Sequence, residues 1–115
     1  DGRYGVCLRG AVRFLIESRD ATGYISDTGS RMHGHGYAVL FLTQVFGELP
    51  REEQEDVRQA IEKGIAVMIR AQNSKTGGWY YGPRNEGEDE ASITICVLQA
   101  LRAAMAWRST RQAYG

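Results

Sequence analysis

Residues 37–46 read Tyr37-Ala38-Val39-Leu40-Phe41-Leu42-Thr43-Gln44-Val45-Phe46. If this run is helical it is apolar on nearly every side, and such a helix needs neighbours all round it. Gly47 ends it. A second run of the same kind starts near Ser92 and carries Ile93, Ile95, Cys96, Val97, Leu98, Ala100, Leu101, Ala103, Ala104 and Met105. The tail after Trp107 is polar and is expected to fray.

Each of these runs follows a helix of a different character. From Leu8 to Ser18, Leu8, Ala11, Val12, Leu15 and Ile16 recur at steps of three and four, with Arg9, Arg13 and Glu17 opposite. That spacing is an amphipathic helix. A loop rich in Gly, Ser and Asp then runs to about Gly34. Pro50 opens a second amphipathic helix, whose acidic start, Glu52-Glu53-Gln54-Glu55-Asp56, suits the positive end of a helix dipole. Its stripe of Val57, Ala60, Ile61, Gly64, Ile65 and Met68 runs on to about Gln72.

The order is amphipathic, buried, amphipathic, buried. Two amphipathic helices cannot cover two that are buried on all sides. The pattern therefore predicts an all-α chain that forms part of an α/α toroid, a double layer in which outer amphipathic helices alternate with inner buried ones. A four-helix bundle is the alternative, although small bundles normally give every helix a polar stripe.

Composition narrows the partners. The 115 residues are 43% apolar and 24% charged, and fourteen basic side chains balance fourteen acidic ones. A chain without net charge has no field to gather nucleic acid or an anionic membrane. No stretch approaches the roughly 20 apolar residues of a membrane span. The start, Asp1-Gly2-Arg3, has neither a methionine nor a signal core, which suggests a trimmed chain. Cys7 and Cys96 each sit in an apolar helical pattern and are expected to be buried.

The chain also repeats itself. Arg9-Gly10, Phe14, Ser18, Gly23 and Tyr24 align with Lys63-Gly64, Met68, Gln72, Gly78 and Trp79, a period of about 55 residues. Two αα-hairpin repeats are expected, one over about 8–47 and one over about 57–106. The second unit, Lys63-Gly64, Met68, Gln72 and Gly77-Gly78-Trp79, resembles the QW repeat of squalene and oxidosqualene cyclases, with Met68 where that pattern has an aromatic residue or Leu. The stretch from Gly78 through Pro83 to Gln99-Ala100-Leu101 is similar to the prenyltransferase and squalene-oxidase repeats. The first unit is a degenerate copy, with Ser18 in place of Gln and Tyr24 in place of Trp.

The resemblance implies that Gln72, Gly78 and Trp79 form a structural brace remote from chemistry. A glutamine at a helix end can satisfy orphan backbone groups with both halves of its amide, and an indole over it would exclude water. The family's chemical motifs are missing from this chain. Glu88-Asp89-Glu90 does not match the DxDD cluster of the cyclases, and Asp89 reads as the acidic start of the last helix. Ala91 stands where a prenyltransferase zinc site would place its cysteine.

His33 and His35, in the run His33-Gly34-His35-Gly36, are candidates for a cavity mouth, together with Asp89. A metal would need a third ligand, and a satisfied loop histidine is the simpler reading, so no metal or cofactor is assigned. The aromatics Tyr24, Tyr37, Phe41, Trp79, Tyr80 and Tyr81 would stabilise a carbocation if they lined a cavity, and otherwise serve as core or brace. The resulting expectation is a segment of a squalene-cyclase-like or prenyltransferase-like toroid whose partner is an isoprenoid or other apolar small molecule, and which self-associates or packs against the rest of a larger ring. The alternatives are a non-catalytic repeat scaffold of the same fold and a carbohydrate-active α/α barrel. The latter would want paired carboxylates at the inner-helix mouths.

Overall fold

The computed structural model describes residues 2–26, 31–83 and 90–114. The two apolar runs form helices that lie against each other, and each is preceded in the chain by an amphipathic helix. The elements are α1 (Gly2–Glu17), α2 (Arg31–Val45), α3 (Arg51–Ala71) and α4 (Ala91–Tyr114), with a 3₁₀ turn at Phe46–Glu48 after α2. The described residues are thus all-helical, with an isolated bridge between Arg19 and Ile25.

Contacts along the helices give their directions. The side chains of His33 and Ser92 meet at one end of the α2–α4 pair, and Phe46 packs edge-on against Trp107 at the other, so α2 and α4 run parallel. His35 contacts Gly64, and Gln54 reaches back to the carbonyls of Phe46 and Leu49, so α3 runs antiparallel to α2. α1 lies on α3, with an ion pair from Arg9 to Glu53 at 2.8 Å. Met32, Val39, Leu42, Ile61, Ile65, Met68, Ile93 and Val97 fill the centre and are almost wholly excluded from water.

Two glycines set how closely the helices approach. A Cβ on Gly36 would lie 2.9 Å from Cys96 Sγ, so it is the bare backbone of α2 that lets the Cys96 side chain of α4 pack against it. A Cβ on Gly64 would lie 2.7 Å from Val39 Cγ2, which makes the same statement for α3 against α2. Close approach brings more atom pairs within dispersion range, which offsets the low helix propensity of glycine, about 1 kcal/mol below Ala.

The structure corrects several boundaries. α2 begins at Arg31, so His33-Gly34-His35-Gly36 belongs to its first turns and not to a loop. Arg31 enters with a left-handed φ of 52°, and the Met32 N–H donates to the Tyr81 carbonyl at 2.9 Å, which satisfies one of the free donors at the helix start. α4 continues past Trp107 to Tyr114. Its polar end is held because Arg108 pairs with Glu62 and the Arg111 guanidinium lies over Phe46 and Trp107. α1 starts at Gly2, and Cys7 on it is exposed, whereas Cys96 is buried. Of the apolar positions on α1 only Val12 is buried, because that helix has a single packed side.

Candidate functional site

Residues two apart on a helix point roughly 200° apart, so the two histidines of α2 cannot converge on one ligand. His35 turns into the core and is completely buried. The Ile25 N–H donates to its Nδ1 at 2.9 Å, which leaves the proton on Nε2, and Nε2 donates to the Gly64 carbonyl at 3.0 Å. The ring thereby ties the α1–α2 loop, α2 and α3 together as a neutral imidazole. Burial holds its pKa below the ordinary value against weaker opposing effects of Gly64 and Asp20. Tyr24 covers it with ring centroids 5.4 Å apart. His35 is a satisfied core residue.

His33 turns the other way, toward the start of α4. Ser92 donates its hydroxyl proton to Glu90, so its oxygen has only acceptor capacity left for His33 Nε2, 3.3 Å away. Glu90 Oε1 also accepts the Ser92 N–H at 3.1 Å. These two bonds from Ser92, with the His33 charge as a weaker cause, hold the Glu90 carboxyl below its usual range. Cys96 Sγ donates to the His33 carbonyl at 3.6 Å, and burial pushes its thiol pKa up.

The result is a polar clasp across the parallel starts of α2 and α4. Beside it stand Arg31, over the ring of Tyr81 at 5.3 Å, and Tyr80, edge-on to Tyr81 at 5.2 Å. The order of the clasp is carboxylate, hydroxyl, imidazole. In a hydrolytic triad the imidazole stands in the middle and takes the hydroxyl proton. Here the carboxylate holds that proton, so the arrangement joins two helix ends and does not prepare a nucleophile. Asp89, the third mouth candidate, lies outside the described residues. Glu90 beside it does the work at the start of α4.

The brace residues lie at the C-terminal end of α3, against the start of α4. Trp79 is buried, its indole Nε1 donates to the Met68 carbonyl at 2.8 Å, and its backbone N–H donates to Thr94 Oγ1 at 3.0 Å. Gln72 caps the end of α3, and its Nε2 donates to the Gly77 carbonyl at 2.9 Å. Gln72 is exposed, so its amide is not sealed beneath the indole. Gly78 is buried, and its carbonyl accepts the Asn73 N–H.

The same kind of turn follows α1 and α3. Asp20 Oδ1 accepts the Thr22 N–H at 2.8 Å, and Asn73 Oδ1 accepts the Lys75 N–H at 2.9 Å. The Asp20 N–H donates to the Tyr24 carbonyl at 3.0 Å, and the Asn73 N–H to the Gly78 carbonyl at 2.9 Å. Each turn contains a glycine at positive φ, Gly23 at 98° and Gly77 at 83°. Hydrogen bonding thus pairs Tyr24 with Gly78, and Ile25 with Trp79. Both Ile25 and Trp79 are buried, and both donate a backbone N–H to a side chain of the following helix, His35 or Thr94. Sequence alignment on the aromatics missed this because the second turn is one residue longer. The shared Asp20 and Asn73 turn chemistry was the available signal.

No known protein family, characterised protein or solved structure matches the chain.

Proposed function

We propose that the chain forms two hairpins of an α/α toroid of the squalene-cyclase and prenyltransferase type, and that the free faces of α2 and α4 line an apolar cavity for an isoprenoid or similarly apolar small molecule. The observation that carries this reading is the exposure of Tyr37 (57%), Ile95 (58%) and Leu98 (51%) on helices whose other sides are the core of the structure. Residues this apolar on a shared free surface mark a binding or packing site.

Two further features support it. A parallel inner pair, antiparallel to its outer partner and closed by matching turns, is what repeated hairpins in a double layer would give. The chain also exposes 7156 Å² at 12.8 kDa, whereas about 6,300 Å² is expected for a closed monomer of that mass.

The test is titration with a fluorescent farnesol analogue against Ile95→Lys and Leu98→Lys. Saturable binding that both substitutions weaken at least about tenfold is expected. Binding that ignores the substitutions, or fails to saturate, would remove the proposal.

A second reading, a non-catalytic scaffold of the same fold, is favoured by the clasp of His33, Ser92 and Glu90, whose groups are spent on each other. In that case the free faces pack against a second copy or further repeats. Sedimentation then shows association that Leu98→Lys abolishes, with no response to the farnesol analogue.

A further inference from the structure

His35 holds two elements through two different nitrogens, and a second proton on the ring would treat them differently. The Ile25 N–H donates to Nδ1 at 2.9 Å, and Nε2 donates to the Gly64 carbonyl at 3.0 Å. When Nδ1 gains a proton, two donors face each other and the bond from Ile25 is lost. The bond to Gly64 survives, because Nε2 is a donor in both forms and is charge-assisted in the second. Protonation therefore loosens the α1–α2 turn and leaves α3 attached to α2.

α1 depends on that turn for its seat. Val12 is its only buried residue, Leu8, Leu15 and Ile16 are half-buried, and the ion pair from Arg9 to Glu53 is partly exposed. After α1 the chain is pinned by Ile25, sunk in the core, and by Tyr24, whose ring covers the imidazole. By contrast α2, α3 and α4 meet through Val39, Leu42, Ile61, Ile65 and Ile93, all almost wholly excluded from water.

We propose that His35 is an acid-operated latch: a proton on Nδ1 releases the α1–α2 turn, and α1 with it, from the other three helices, which stay packed. Release lets water reach the imidazolium and uncovers the seats of Val12 and Ile25.

The groups around the ring leave the titration to His35. The turn contributes Asp20, whose charge attracts an imidazolium less strongly than burial opposes it, and Tyr24. The Thr22 hydroxyl holds the Asp20 carboxyl below its ordinary 3.8, and burial lifts Tyr24 above its ordinary 10.0. α3 contributes the cation Lys63, whose Cβ lies against Gly23. α4 contributes Cys96 beside Gly36, a thiol that burial pushes up. On α2 itself, His33 turns away to Ser92 and Arg31 to Tyr81. Asp20, Tyr24 and Cys96 thus keep their charge state between pH 5 and pH 7.

Hydrogen exchange of the full chain tests the latch, with amide protection corrected for the intrinsic rate at each pH. In the open state His35 titrates at about 6.5, so opening should be about 25-fold more frequent at pH 5 than at pH 7. The expected result is a matching fall in protection at Ile25 and along α1, with residues 97–104 of α4 unchanged. His33→Gln should keep this response, and His35→Gln should lose it. A fall shared equally by α1 and α4 would mean global unfolding and would overturn the latch. So would equal protection of Ile25 and α1 at both pH values, or a response that His33→Gln removes or His35→Gln retains. Should His35→Gln fail to fold, the parent and His33→Gln decide between these outcomes.

Discussion

Nε2 of His35 lies 3.0 Å from the carbonyl oxygen of Gly64, so a buried hydrogen bond crosses from α2 to α3 at a residue with no side chain. The glycine and the histidine serve one purpose. A Cβ on Gly64 would sit 2.7 Å from Val39 Cγ2 and 3.6 Å from the His35 ring, so the close approach that makes the bond also leaves no room for alanine.

Gly64→Ala should therefore destabilise the chain by about 1–3 kcal/mol, the usual cost of overpacking a core. Val39 is fully buried and β-branched, so it cannot swing away. Val39→Ala opens a cavity on its own, yet it removes the clashing methyl group. Urea unfolding of both single variants and the double variant should give a double loss smaller than the sum. Additive losses would show that the clash is not with Val39.

The same bond gives a pH dependence. His35 is neutral in the fold because burial depresses its pKa, and in the unfolded chain it titrates near about 6.5. Below that pH the unfolded state binds a proton that the folded state refuses. The stabilisation from His35 is thus complete above the unfolded pKa and is lost as pH falls below it toward the folded value. Protonating Nδ1 would also break the bond from the Ile25 N–H. His35→Gln should be less stable at pH 7.5 and should lose less further stability between pH 7 and pH 5 than the parent. Equal slopes in urea midpoints would mean that another group carries the effect.

Trp79 and Gln72 should differ sharply although both belong to the brace. Trp79 is buried and satisfies Met68, so Trp79→Phe leaves a buried carbonyl without its donor, at about 1–3 kcal/mol. Gln72 is exposed, and the carbonyl it serves on Gly77 can turn to water, so Gln72→Ala should cost about 0.5–1 kcal/mol. Thermal melts of the two variants rank them directly, and equal losses would contradict this division.

Much of this architecture was legible in the pattern of side chains. The two all-round apolar runs and the stripe from Val57 to Met68 give α2, α4 and α3, because helical periodicity is a local signal. The candidate site was less legible, since it depends on where chains meet. His33 and Ser92 are 59 positions apart, and nothing local says that the serine will take its proton to Glu90 and leave an oxygen for the imidazole. His35 was visible as a satisfied histidine, but its partners, Ile25 and Gly64, belong to other elements. The end of α4 read as frayed because Arg108 and Arg111 look solvated, while in the fold one finds Glu62 and the other two aromatic rings.

The paired turns offer the last discrimination. Gly23 and Gly77 both adopt positive φ, which costs an L side chain roughly 1–2 kcal/mol. Their surroundings differ. A Cβ on Gly77 would meet only Gln72 Nε2, at 3.9 Å, whereas one on Gly23 would fall 2.5 Å from the Lys63 Cβ and 3.2 Å from its backbone carbon. Gly77→Ala should therefore lose about the conformational cost alone, and Gly77→Asn should recover part of it, because asparagine tolerates the left-handed region. At Gly23 the overlap is with α3 itself, so Gly23→Asn should give no recovery and should be at least as damaging as Gly23→Ala. Urea midpoints of the four variants test this. Recovery by asparagine at both positions would mean that the α1–α2 turn is free to move off α3, and that Lys63 does not fix the distance between that turn and α3.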